Sequence, residues 1–459
     1  MRKTLLSALA CLTMAFAPVQ AQNDVKTTDG NVTVYNFNQP ITICGEDAIL
    51  AANFFSVSGN GEYAVAYDDQ FSGASFLWTR STGELTILYG GEGDEENVPC
   101  YIYDVANDGT VVGVFQSPDD NLCHPGYYKD GKWTALPVPE TVPESDMQYM
   151  AYAPAATLIS DDAKVITGVW GGGVSHPVQW VDGQLKEFPN VPIRNIGVYP
   201  LSMKQDGSVI VGLAASEFGD HLPMYIKDGK LTYIYDTPEG AGNEVPGGVS
   251  RAMMLGRTLY IDEAGMAYGY LSNENSQLVQ FCLDTNTGVK VETDYAAVGQ
   301  AGGGNLYACH FSGSGEFISN TQFVKTADGE LSLNEYWNTQ LDLPFIGIQA
   351  SSADGSVLIG GTYTTLGDMG VVVTPVVAVC ESLTGISQTV AERPHMAISP
   401  NGVINVSGHQ GAIRVFNVEG KQVATATQGQ VDLSQQPRGM YLLQVSAANG
   451  QTSTFKVIR

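Results

Sequence analysis

The sequence predicts an all-β protein: a seven-bladed β-propeller, with six blades as the alternative, followed by a small Ig-like β-sandwich. Three observations carry the prediction. A pattern of short apolar strands recurs about every 49 residues between positions 50 and 380. Most copies hold Asp-Gly or Asn-Gly turns between alternating runs, the strongest short-range hairpin signal, because Gly accepts φ > 0. Charged residues are only 15% of the chain while Gly numbers 52, which suits a turn-rich β protein.

The N-terminus reads as a secretory signal over residues 1–21. Arg2 and Lys3 form the basic end, Thr4 to Ala17 the apolar stretch, and Val19-Gln20-Ala21 a small-x-small cleavage site. The apolar run is too short to span a bilayer, and the sequence predicts no transmembrane segment. Acylation at Cys11 is the rival, disfavoured because the apolar run continues past it. The formal net charge of −26 would repel a phosphate backbone, so nucleic acid is excluded as a partner. Beyond Cys11 there are six Cys and no C-x-x-C, which argues against zinc-ribbon and thioredoxin-like chemistry and leaves the choice between disulfides and buried thiols open.

The propeller is expected over residues 31–380. Its unit is an apolar strand a, a tight turn, a β-branched strand b ending in Gly, a variable loop, a strand c ending in an aromatic, a second Asp-Gly turn and a short strand d. The clearest copies run from Val105 (VANDGTVVGVF, then HPGYYKDGKWTAL), from Ile159 (ISDDAKVITGVW, then HPVQWVDGQLKEF) and from Met203 (MKQDGSVIVGL, then LPMYIKDGKLTYI). The first turn is placed near Gly61, Gly109, Ala163, Gly207, Gly265, Gly315 and Gly355. Four strands cannot bury a sheet face alone, so the units must stack around an axis. The last copy lacks strand d, and Asn31–Phe37 (NVTVYNF) is expected to supply it and close the ring. These units resemble extracellular HAF repeats through Ala74-Ser-Phe-Leu-Trp78 and His176-Pro-Val-Gln-Trp180. That resemblance implies a fold rather than an activity.

Residues 381–395 read as a linker, and 396–459 as the sandwich. Within the latter, Ile413-Arg-Val-Phe-Asn417 with Gly420, Asp432-Leu-Ser434 with Gly439-Met-Tyr441, and Lys456-Val-Ile-Arg459 resemble the type A C-terminal sorting domain of the Bacteroidota type IX secretion system, over 385–459. The resemblance implies a sorting signal at Gly420, Gly439, Tyr441, Lys456 and Arg459. It further implies partnership with the type IX secretion machinery, passage through the periplasm, and secretion or display on the outer-membrane surface.

Binding residues are expected on the b–c and d–a loops, which leave one face of the disc while tight hairpins make the other plain. The d–a loops Tyr89–Pro99, Pro137–Asp146 and Asp236–Ser250 are acidic. Phe115 and Trp170 stand two residues past the Gly ending strand b, and beside Glu95 and Glu96 they are the candidate ligand-binding residues: rings for the apolar side of a sugar, carboxylates for its hydroxyls. Asp94–Glu96 and Asp119–Asp120 are the candidate Ca²⁺ sites, although no D-x-D-x-D-G loop occurs and solvated acidic loops are favoured. His124, His176 and His221 share one repeat position but lie on strand c, too far from the axis to meet at one ion. There is no H-E-x-x-H, G-x-S-x-G, Walker loop, S-x-x-K or sialidase S-x-D-x-G-x-x-W box, so no catalytic residue is assigned. The leading expectation is a surface binding module for a host or nutrient macromolecule, glycan or protein. The alternative is a propeller hydrolase acting on glycan or peptide, whose paired carboxylates would come from distant blades.

Overall fold

The computed structural model describes residues 26–38, 41–43, 46–48, 50–67, 75–88, 100–150, 152–171, 174–191, 197–215, 221–234, 259–272, 278–314, 317–365, 371–383, 395–398, 403–407, 413–417, 420–426, 429–446 and 452–458. The signal segment lies outside them. No helix among them is long and apolar enough to cross a membrane. The chain divides into two compact units, 1–387 and 388–459.

The first unit is a propeller of seven antiparallel sheets. Strand a of each blade is Asn53–Val57, Cys100–Val105, Ala155–Ile159, Val198–Met203, Leu259–Ile261, Ala296–Gln300 and Gly347–Ser351 in turn. Each of these touches the next, and the seventh touches the first, so they are the innermost strands of a closed ring. Closure is made as expected: Val32–Asn36 pairs antiparallel with Val371–Cys380, strand c of blade 7, in the register Val32↔Cys380 to Asn36↔Val376. Lys26–Asp29 then adds a fifth, fully exposed strand outside it. The seam between blades 7 and 1 is a buried cluster that includes Tyr35, Ile359 and Val377 with Phe54, Phe76 and Trp78. Arg80 of blade 1 reinforces the seam through a 2.7 Å ion pair with Glu381, just past the last strand.

The turns show why Asp-Gly recurs. In blades 2, 3 and 4 the c–d turn residues Asp130-Gly131, Asp182-Gly183 and Asp228-Gly229 all have φ between 48° and 84°, the mirror-image turn that matches strand twist. At the a–b turns of blades 1, 3 and 7, Ser58, Ser160 and Ser352 donate to Asn60, Asp162 and Asp354 two residues on. Each Ser also accepts the backbone N–H that opens strand b.

The Gly expected to end strand b stands inside it instead, since Val111–Gln116, Val165–Trp170 and Val209–Ala215 run on past Gly113, Gly168 and Gly212, and it has a different cause. In six blades strand a carries one extra residue (Phe55, Tyr103, Thr157, Leu201, Val298 or Gln349), a β-bulge. Opposite it stands Ala66, Gly113, Gly168, Gly212, Ala308 or Gly360. The bulge turns a strand-a carbonyl inward: a Cβ on Gly113, Gly168 or Gly212 would lie 2.0–2.1 Å from the oxygen of Tyr101, Ala155 or Tyr199.

One turn assignment is corrected. The sixth a–b turn is at Ala301–Asn305, where Gly302, Gly303 and Gly304 all have positive φ, and not at Gly315. Position 315 is outside the described residues, but the strands flanking it are b and c of blade 6, paired up to Ser314↔Phe317. Blade 6 is complete, and the count is seven. Its b and c strands and those of blade 7 run to 9 and 10 residues against 5 and 5 in blade 1. Past the bulge they extend five or six residues, against one in blade 1, and so stand roughly 14–17 Å higher on the loop face at 3.4 Å per residue.

The second unit is the expected sandwich. One sheet holds His395–Ile398, Val403–Ser407 and Gln430–Asp432; the other holds Gln422–Ala426, Ile413–Asn417, Met440–Ser446 and Thr452–Ile458. Ile404, Val406, Val431, Leu443 and Val445 are among the residues that fill the space between them.

Candidate functional site

Trp170 and Phe115 end strand b of neighbouring blades, yet they differ. Phe115 is 5% exposed and stacks on Trp133 of strand d, with ring centroids 4.9 Å apart. It is a core ring of blade 2, which corrects its candidacy for ligand binding: both rings occupy one face of the same sheet. Trp170 is half-buried, and one of its faces is covered by the imidazole of His176 at 4.2 Å, nearly parallel. Burial lowers the His176 pKa, with Glu187 opposing. Gly171 lies beside this stack at φ 109°, where a Cβ would stand 2.2 Å from the Val174 oxygen and 3.3 Å from His176 Cδ2. Glu95, Glu96 and Asp94 lie outside the described residues, as does the 236–250 loop.

The loop joining blades 2 and 3 brings the aromatic groups that sequence reasoning missed. Residues 137–154 are tied down at their start by the Trp180 indole N–H, which donates to the Pro137 carbonyl at 2.7 Å. Midway they form a short 3₁₀ turn, Glu144–Gln148, whose Met147 is buried and which rests on Cys123–Lys129 of blade 2. Met150 and Ala153 then pack on Val114, Cys123, Tyr101 and Val169. With its apolar side pinned in this way, the loop holds Tyr149 63% exposed and Tyr152 54% exposed, three residues apart on one turn closed by Tyr152 N–H to Tyr149 carbonyl. Glu140 and Glu144 are exposed on the same loop, with Asp146 half-buried. Nothing periodic marks these tyrosines in sequence; the only signal is an aromatic pair at i, i+3 inside a long proline-rich loop.

Asp119 and Asp120, in the b–c loop of blade 2, act on their own loop. Asp120 accepts from Leu122 N–H and pairs with His124 at 2.9 Å. His124 and His176 are thus engaged separately, and no group of three metal-ligating side chains occurs among the described residues. Cys100, Cys123, Cys282, Cys309 and Cys380 form no disulfide. Burial pushes the thiols of Cys100 and Cys309 up to about 12.

The carboxylates with raised pKa sit on the opposite face. There the a–b turns bond to one another through their second residues, among them Gly59, Asn107, Asp161, Gln205, Glu263 and Ala353. Asn107 N–H donates to Asp161 carbonyl, Asp161 N–H to Gln205 Oε1, Gln205 N–H to Glu263 Oε1, and Ala353 N–H to Gly59 carbonyl. Gly59 N–H reaches Asp161 Oδ1 at 3.1 Å, from blade 1 to blade 3. Burial raises the pKa of both Asp161 and Glu263, while hydrogen bonds from Gly59 and Asn107, or from Gln205, pull the other way. A carboxylate whose folded pKa lies above its unfolded one destabilises the fold when ionised and relieves it as pH falls through the folded value. Asp161→Asn with Glu263→Gln keeps both acceptors and removes both charges. The double variant should melt slightly above wild type at pH 7, with Asp161 carrying most of the gain because Glu263 is exposed to solvent, and the gap should close towards pH 4. Calorimetry across that range checks it; a variant that melts lower at pH 7 would show that the charge-assisted bonds dominate.

In the sandwich, Gly420 turns at φ 77° between Ile413–Asn417 and Gln422–Ala426. Tyr441 is buried, its hydroxyl donating to the Pro437 carbonyl at 2.6 Å. Gly439 precedes that strand and Lys456 lies in the last one, while Arg459 is outside the described residues.

Residues 398–459 match the family model of a secretion system C-terminal sorting domain. No curated protein sequence matches the chain. Among solved structures, the chain is similar to an oligogalacturonate lyase of Vibrio parahaemolyticus at 9% identity, covering 77% of this chain and 96% of that one, with a TM-score of 0.41. It is similar to an oligogalacturonate lyase solved with manganese at 12% identity, covering 81% and 99%, with a TM-score of 0.43. A puromycin-hydrolyzing peptidase of Mycobacterium tuberculosis matches at 12% identity over 95% of this chain and 62% of that one, with a TM-score of 0.42. No activity is carried across at these similarities.

Proposed function

We propose that this chain, a cargo of the type IX secretion system by its C-terminal sorting domain and so secreted or held at the cell surface, is a binding module whose loop face over blades 2 and 3 grips a macromolecular ligand. The observation that carries the reading is the tyrosine pair. Tyr149 and Tyr152 stand more than half exposed on a loop anchored by Met147, Met150 and the Trp180–Pro137 bond. Large rings held rigid in solvent lose little conformational freedom on binding and bury much area, the usual anatomy of an interface anchor. Trp170 adds a half-buried third ring, and the Gly420, Gly439, Tyr441, Lys456 and Arg459 set serves export in the same proposal.

Tyr149→Ala with Tyr152→Ala separates this from a structural role. Both rings are exposed, so melting should change by less than about 1 kcal/mol. Affinity for whatever the full chain captures on combined glycan and peptide arrays should fall about tenfold or more. Unchanged array binding would refute the reading. The same arrays score cleavage products, the outcome that a hydrolase would give.

A further inference from the structure

His310 stands on strand b of blade 6, Leu306–Ser314, with both ring nitrogens engaged. Nδ1 lies 2.6 Å from the carbonyl oxygen of Asp294, in the connection that arrives from blade 5. Nε2 lies 3.0 Å from Glu330 Oε2, on the outer strand Gly329–Leu331 of blade 6. The imidazole also stacks on Phe323 of strand c, with ring centroids 4.4 Å apart. A backbone carbonyl only accepts, and so does an ionised carboxylate. A neutral imidazole carries one N–H, so it serves one of these partners and turns a lone pair towards the other. The imidazolium, with two N–H groups, satisfies both. Since the carbonyl never donates, a neutral His310 keeps its proton on Nδ1, and the proton it gives up is the one on Nε2.

Three charged side chains surround the ring: Asp294, Glu330 and Lys325, the last 3.7 Å from Glu330 Oε1 and 5.5 Å above the Tyr295 ring. Burial disfavours the charged imidazole, but the bonds to the Asp294 carbonyl and to Glu330, with the charges of both acids, outweigh it and raise the His310 pKa. A histidine raised on folding contributes its stability in full below the unfolded value of about 6.5 and loses it as pH climbs through the folded value. We infer that His310 is a pH-operated clamp at the blade 5–6 junction: charged, it ties the incoming connection to the outer strand of blade 6, and on losing its Nε2 proton as the medium turns alkaline it releases that strand. Release stays local. Gln280 of blade 5 donates to the Phe311 carbonyl at 3.2 Å and accepts Phe311 N–H at 3.0 Å, and neither bond titrates.

The test uses the full chain with isotope-labelled histidine, whose ring nitrogen signals report both charge and tautomer. His310→Gln identifies the signals of His310 by their loss. The side chains of His310 and Glu330 are 34% and 37% exposed, so neither substitution should unfold blade 6. In wild type His310 should titrate above the unperturbed value of about 6.5, and its neutral ring should carry the proton on Nδ1. Glu330→Gln should lower the midpoint, because an amide can donate to a bare Nε2. Amide exchange supplies the second readout. Between about pH 6 and about pH 9, protection of Gly329–Leu331 should fall about two- to fivefold relative to Glu84–Leu88, the outer strand of blade 1, which is the scale of one exposed ion pair. His310→Gln should abolish that difference. A midpoint at or below the unperturbed value, a midpoint unmoved by Glu330→Gln, or a neutral ring protonated on Nε2 would overturn the inference. So would protection of 329–331 that falls equally in wild type and His310→Gln.

Discussion

Gly212→Val is expected to destabilise the propeller by about 2–4 kcal/mol, the scale of overpacking a buried site. Leu201 is the extra residue of the strand-a bulge in blade 4, where Pro200 pairs with Gly212 and Ser202 with Val211. That bulge points the Tyr199 carbonyl at Gly212, 2.0 Å from where a Cβ would be, with Met224 Cε at 3.0 Å on another side. The carbonyl is fixed by the bulge and the bulge by the ring, so the branched side chain has no direction in which to relax. Gly212→Ala brings its Cβ to the same carbonyl and should cost about 1–3 kcal/mol, less than valine only because the methyl adds no branches towards Met224. Urea unfolding of both variants checks the ordering; a valine variant as stable as the alanine one would show that the bulge is soft.

Val34→Pro should open the ring. Val34 is buried and paired on both sides, with Ala378 of blade 7 and with Thr27 of the outer strand. Proline removes a ladder bond inside a sheet and costs about 3 kcal/mol or more. Here the loss is not local. The strand is the seam between the first and last parts of the chain, and Val34 belongs to a buried cluster that includes Val376, Ala378, Tyr307 and Trp337. Thr27→Pro, on the exposed outer strand, should cost less than about 1 kcal/mol. Circular dichroism melts of the pair give the comparison. Equal effects would mean that Val32–Asn36 behaves as an edge, leaving blade 7 without its fourth strand.

Much of this architecture was legible because its causes are local. Asp130-Gly131, Asp182-Gly183 and Asp228-Gly229 announce their hairpins through the one backbone region that Asp tolerates and Gly prefers. The closing strand was legible by subtraction, since the last copy lacked strand d and NVTVYNF had no other partner. The sixth turn was misplaced because Gly302–Gly304 lacks the Asp-Gly mark and the long arms of blade 6 put another Gly-rich sequence near the expected spacing. The site was less legible. Phe115 and Trp170 hold one repeat position, and only the stacked Trp133 in one blade and the imidazole of His176 in the other tell them apart. Tyr149 and Tyr152 owe their exposure to Met147, Met150 and Ala153 pointing the other way, a matter of tertiary anchoring that leaves no period in the sequence.

Amide hydrogen exchange of Val32–Asn36 in the full chain tests the closed ring most directly. Ring closure predicts that these amides are protected to the level of Val371–Cys380, their partner strand, because both open only when the ring does. Exchange at the rate of free chain in 32–36, with 371–380 still protected, would contradict a propeller closed by its own N-terminal strand.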